Sequence, residues 1–126
     1  MNLMCRGLLL SVIMYQITEP LNFTVTNTND SGAGSLRQAI LDNNANPGAN
    51  NINFNISGAG PHTISPVTDL DRITNTVTIN GYTQPGARVN NQIFGDDAVI
   101  KIIINGSNYT VGDGVSTGNG LTFGEG

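Results

Sequence analysis

The chain contains no tryptophan, one cysteine and one histidine among its 126 residues. A lone Cys5 cannot form an internal disulfide or a thiolate metal cluster. A lone His62 offers neither a multi-histidine metal site nor, without partners placed by the fold, a Ser–His–Asp triad. Charge is scarce as well, at 11% of residues, against about 25% in an average domain. The five basic residues (Arg6, Arg37, Arg72, Arg88, Lys101) are scattered in a chain of net charge −4. Nucleic acid is therefore excluded as a partner, because its backbone demands a basic patch. The only long apolar run, Gly7–Tyr15, is too short to span a bilayer, which takes about 20 residues.

Abundance lies elsewhere. Asn, Thr and Gly number 18, 13 and 16, together more than a third of the chain. All three are weak helix formers, and Asn and Gly tolerate tight turns. That balance points to a turn-rich, all-β architecture.

Residues 1–20 differ from the rest. Arg6 followed by an apolar stretch has the outline of a secretory signal peptide, but a small-x-small cleavage site is missing between Tyr15 and Pro20. The segment reads either as a degenerate signal peptide or as an artefactual start. Residues 21–126 form one domain.

A period of 25 runs through that domain. Ile52-Asn53-Phe54-Asn55, Val77-Thr78-Ile79-Asn80 and Ile102-Ile103-Ile104-Asn105 superpose, with apolar residues alternating and Asn at 55, 80 and 105. Repeats of about 20–50 residues indicate a solenoid or propeller, and a propeller blade of four strands needs about 40. The expectation is a right-handed parallel β-helix of about three coils, with Asn55, Asn80 and Asn105 stacked as a turn ladder. Further strands are expected at Phe23–Asn27, His62–Ser65 and Val99–Ile104. Gly120–Phe123 would open a fourth coil, cut short of its natural end and leaving an edge that invites self-association.

One segment breaks the β pattern. Ser35 stands three residues before Gln38, a capping box, and Leu36, Ala39 and Ile40 share one helical face. A helix of about two turns is expected, ended by Asn43, Asn44, Asn46, Pro47 and Gly48. Laid across the first coil, it would cap the open core.

Phe23–Ile40, with its Ser35-Leu36-Arg37-Gln38-Ala39-Ile40 segment, resembles the N-terminal region of large bacterial right-handed parallel β-helix repeat proteins. So do Asn46–Ala49 and Val77–Ala87. The resemblance covers about residues 22–126. It implies a secreted or cell-surface, adhesin-like structural and binding module that contacts polysaccharide or a surface protein, without a cofactor. The alternative is the non-catalytic start of a β-helix polysaccharide lyase or glycoside hydrolase.

Candidate site residues follow from their chemistry. Asp69 and Asp71 would share one side of a strand beside Arg72, a grouping suited to sugar chemistry or calcium but equally to a solvated turn. Asp96, Asp97 and Asp113 are weak calcium candidates. Tyr82 and Gln84 could stack on or hydrogen-bond a sugar, but read more readily as packing or turn residues. His62 reads as a turn or strand residue. At 53/55, 78/80 and 103/105 the expected outward pairs are Asn/Asn, Thr/Asn and Ile/Asn, so no threonine array of the ice-binding kind is expected.

Overall fold

The structure, a computed structural model, describes residues 19–108. Most of the 1–20 segment, Asp113 and the Gly120–Phe123 strand lie outside the described residues.

The chain runs β1 (Asn22–Val25), α1 (Leu36–Ala45), β2 (Asn50–Phe54), β3 (His62–Ile64), β4 (Val77–Asn80) and β5 (Ile102–Ile104). Three strands form one parallel sheet in the order β1-β2-β4, and β3 pairs with β5, again in parallel, in a second. From β2 onward successive strands alternate between the two sheets. The class is therefore mixed α/β, two small parallel sheets with one helix, rather than all-β.

The strands form where apolar residues alternate, and alternation decides what is buried. Ile52 and Phe54 point inward from β2, beside Phe23 and Val25 on β1. Ile40 and Leu36 from α1 close the core at one side, with Ile56, Ile64, Leu70 and Ile73 contributed by β3 and the loops. Each of these large side chains stabilises the fold by about 1.5–3 kcal/mol through burial.

The register corrects the 25-residue period. Ile52 pairs with Ile79, not Val77, and Asn53 rather than Asn55 pairs with Asn80. The third repeat, Ile102–Ile104, lies in the other sheet, opposite His62–Ile64. Asn55, Asn80 and Asn105 therefore form no ladder. The likeness of the last two repeats is local instead. In each, an Asn carboxamide oxygen accepts from the backbone two residues on (Tyr82 N at 3.0 Å, Ser107 N at 3.0 Å), and a 3-10 turn follows, Gly81–Thr83 or Gly106–Asn108. The Asn-Gly pair sets a turn, whereas the intervening loop lengths decide which strand stacks on which.

The helix starts where expected. Ser35 is extended and its Oγ accepts from Gln38 N at 3.1 Å while donating to Gly32 O at 2.7 Å. The reciprocal half of the capping box is absent, since Gln38 Nε2 donates forward to Asp42 Oδ1 at 2.8 Å. Gly34 precedes the cap with φ +77, and a Cβ there would clash with Thr26 Oγ1. That left-handed backbone lets Gly34 O accept from Thr26 N and Asn27 N, folding the chain back from β1.

The helix ends later than expected, at Ala45, passing through Asn43 and Asn44. Asn43 sits seven residues after Leu36 on the same buried stripe, fully buried with Leu36, Ala39 and Ile40. What stops the helix is Pro47, which holds Asn46 extended at φ −120, ψ 105.

The orphan carbonyls of the last turn are then met by side-chain amides. Asn75 Nδ2 lies 2.8, 3.1 and 3.2 Å from the carbonyls of Asn43, Asn44 and Asn46. Asn46 Nδ2 reaches Asp42 O at 2.7 Å. Asn50, also buried, donates to Asn43 Oδ1 and Asn46 O and accepts from Leu21 N. Asparagine serves here because one short side chain offers both donors and an acceptor.

Candidate functional site

Alternation along the three-stranded sheet sets a second row of residues facing outward. Cross-strand pairing aligns Asn22 with Asn51 and Thr78, and Thr24 with Asn53 and Asn80. The outward pairs are thus 22/24, 51/53 and 78/80, not those expected from the 25-residue period. Neighbouring strands lie about 4.8 Å apart, so the six side chains form two parallel rows of amides and hydroxyls. None carries a charge.

The rows are partly pre-ordered. Asn51 Nδ2 and Asn53 Nδ2 both donate to Asn22 Oδ1, at 3.1 and 3.3 Å. Asn80 Oδ1 is taken by Tyr82 N. Among the described residues no hydrogen bond occupies the hydroxyls of Thr24 and Thr78 or the Oδ1 atoms of Asn51 and Asn53. Tyr82, 42% exposed, stands just beyond Asn80. Such a face offers alternating donors and acceptors to a hydroxyl-rich, uncharged ligand.

The other expected site residues are placed differently. Gln84 is 2% exposed, with Oε1 2.8 Å from Ile56 N and Nε2 2.7 Å from Ile56 O. Beside it, Thr83 Oγ1 accepts from Phe54 N at 2.7 Å. Two side chains thus continue the hydrogen bonding of β2 where β4 has ended. Gln84 therefore cannot touch a sugar.

Asp69 and Asp71 do not lie on a strand. They belong to a loop wrapped around Arg37, with Leu70 buried between them. Arg37 Nη1 donates to Asp69 O and lies 3.6 Å from Asp71 Oδ2. Its Nη2 reaches Thr68 O, Thr68 Oγ1 and Asp30 Oδ1 at 3.0–3.1 Å, and its Nε reaches Asp30 O. Arg72 contributes only its carbonyl, to Asn44 Nδ2 at 2.7 Å. This cluster holds α1 against the loop before β4. The backbone N–H of Val67, and then the Arg37 guanidinium, keep the Asp30 carboxyl below its ordinary value of 3.8.

Asp96 Oδ1 accepts from Ala98 N, and Asp97 Oδ1 from Asn91 N, both within one loop. Asp97 Oδ2 faces Arg88 Nη2 at 3.3 Å. Among the described residues no three His, Cys, Asp or Glu side chains gather closely enough to hold a metal ion. His62 is a strand residue, half-buried in β3, with Nε2 3.3 Å from Gly58 O. The described residues contain no helix long and apolar enough to cross a membrane.

Sequence reasoning missed Arg37 as a hub and the 22/51/78 and 24/53/80 rows. The rows were marked by period-two alternation, but only the true register shows which residues are neighbours. Nothing local marked Arg37 as a hub, because besides Asp30 its partners, Thr68, Asp69 and Asp71, lie 31 to 34 residues away in the loop before β4.

Compared with known families, curated proteins and solved structures, the chain matches none.

Proposed function

We propose that this chain is the capped N-terminal end of a right-handed parallel β-helix, a secreted or cell-surface adhesin-like module whose outer Asn/Thr face binds neutral polysaccharide. The observation that carries the reading is the pair of uncharged rows on the three-stranded sheet. An uncharged array of amides and hydroxyls suits sugar hydroxyls and gives no advantage to an anionic ligand. The coil reading draws support from the chain's alternation between two parallel sheets, each strand laid on one from an earlier passage. Right-handed crossing is the rule for parallel connections. The cap reading draws support from the helix's apolar residues Leu36, Ala39 and Ile40, which share one core with Val25 of β1 and Ile52 of β2.

No observation favours the lyase or hydrolase alternative. The carboxylates it would use, Asp69 and Asp71, belong to the loop around Arg37.

The test is electrophoresis through gels containing dextran, galactomannan or hydroxyethylcellulose. Retardation by at least one of them is expected, weakened by Asn53→Ala and Thr78→Ala with far-ultraviolet circular dichroism unchanged. Unretarded migration in all three, or retardation indifferent to both substitutions, would sink the proposal.

A further inference from the structure

Between β1 and the first turns of α1 lies a cavity of about 180 Å³. One water needs only about 10–15 Å³, whereas pockets for drug-sized ligands run to about 300–1,000 Å³. The space suits one small unit, not a length of chain.

Two periodicities set its walls. Along a parallel strand, successive residues turn their backbone groups to opposite edges. The carbonyls of Leu21 and Val25 accept from Asn51 N and Asn55 N, so those of Asn22 and Thr24, with their N–H groups, face the other edge, towards α1. Among the described residues these four groups have no hydrogen-bond partner. On the opposite wall, Gln38 and Asp42 stand one helical turn apart on the same face. Gln38 Nε2 donates to Asp42 Oδ1 at 2.8 Å, which leaves Gln38 Oε1 and Asp42 Oδ2 open as acceptors. Asp42 is the one charged residue lining the cavity, and among the described residues it joins no ion pair. Phe23 and Ala39 add an apolar part to the wall.

This lining selects among ligands. A peptide strand added to β1 would need its whole edge, but Gly34 O already takes Thr26 N there. An anionic sugar would set its charge against the Asp42 carboxylate. A neutral pyranose answers every wall: its hydroxyls both donate and accept, and its C–H face is apolar. Position agrees. Asn22 and Thr24 begin the two outer rows, and β1 is the edge strand of its sheet. A polysaccharide laid along the rows thus reaches the cavity where the rows run out, with α1 on the far side.

We infer that this cavity seats the terminal residue of a neutral polysaccharide, with Asp42 and Gln38 accepting from its hydroxyls. The seat rests on polysaccharide binding by the outer rows, and it makes the module a reader of chain ends.

The test returns to gels of dextran, galactomannan and hydroxyethylcellulose, now with free sugars added at millimolar concentration. Glucose should release the wild-type chain from dextran or hydroxyethylcellulose, and galactose from galactomannan, whereas glucuronate should not. This arm needs no variant to fold. Asp42→Asn should raise the dissociation constant for the retarding polymer about tenfold or more, and Gln38→Ala about threefold. Leu41→Gln, on an exposed position of the same helix, should leave it unchanged, and circular dichroism should match wild type throughout. Retardation weakened by Asn53→Ala but indifferent to Asp42→Asn, Gln38→Ala and the free sugars would overturn the seat alone and leave the rows standing. Competition by glucuronate equal to that by glucose or galactose would also overturn it. A wild-type chain unretarded in all three gels would overturn the rows and the seat together.

Discussion

Replacing Gln84 by leucine removes the two hydrogen bonds that join this side chain to the backbone N–H and C=O of Ile56. Leucine is close in size and apolar, so packing is largely kept and the polar loss is isolated. Gln84 is 2% exposed and Ile56 6%, so water does not readily replace either bond. Each buried backbone group left unpaired costs about 1–3 kcal/mol, so the pair costs about 2–6 kcal/mol together. Against a total stability of order 5–15 kcal/mol for a single domain, the loss is large enough to measure by urea unfolding monitored by circular dichroism. Gln84→Glu sharpens the test. Glutamate keeps the acceptor for Ile56 N, but its second oxygen faces Ile56 O. Only the protonated acid can donate there, and burial raises the folded pKa above the unfolded value of about 4.3. The stability from that pairing is present below about pH 4 and is lost as pH rises through the folded pKa. The glutamate variant should therefore approach wild type in acid and fall away from it at neutral pH. A leucine variant within about 0.5 kcal/mol of wild type, or a glutamate variant indifferent to pH, would refute the backbone-pairing role.

The Asp30 carboxyl is held low by Val67 N–H and then by Arg37, so the stability it contributes is fully present above pH 3.8 and is lost as pH falls through the lowered value. The difference in unfolding midpoint between wild type and Asp30→Asn should thus be greatest near neutrality and close in acid; a constant difference across that range would contradict it. Asn75→Ala strips one amide from the carbonyls of Asn43, Asn44 and Asn46. We expect a loss of about 1–3 kcal/mol and faster hydrogen exchange in the last turn of α1, with the first turn little changed.

Much of this fold is legible in the sequence because its strands are half-buried. Alternation around Ile52–Phe54 and Val77–Asn80, and the β-branched run Ile102–Ile104, mark all three as strands, and Ser35 marks the helix start through its own side-chain bond. Pairing is another matter. A strand carries no label for its neighbour, and a displacement of two residues keeps every side chain on the same face. Ile79 therefore answers to Ile52 as readily as Val77 does, and the loops decide. The asparagines mislead for a related reason. Asn43, Asn50 and Asn75 look like turn residues by type, yet they are interior or half-buried amides whose partners come from distant segments. Gln84 is likewise a polar residue whose burial no local pattern announces. The outer face was half legible: its residue types were evident, and their alignment was not.

The helix is fastened differently at its two ends. Near its start, Arg37 ties it to Asp30 and Asp71 through ion pairs, which salt and acid weaken. At its finish, neutral amides of Asn43, Asn46, Asn50 and Asn75 do the fastening, and they carry no charge to titrate or screen. A change of surroundings therefore reaches one fastening and spares the other. In acid or brine the helix should loosen first at its Arg37 end, where only the bonds of Arg37 to neutral carbonyl and hydroxyl oxygens persist.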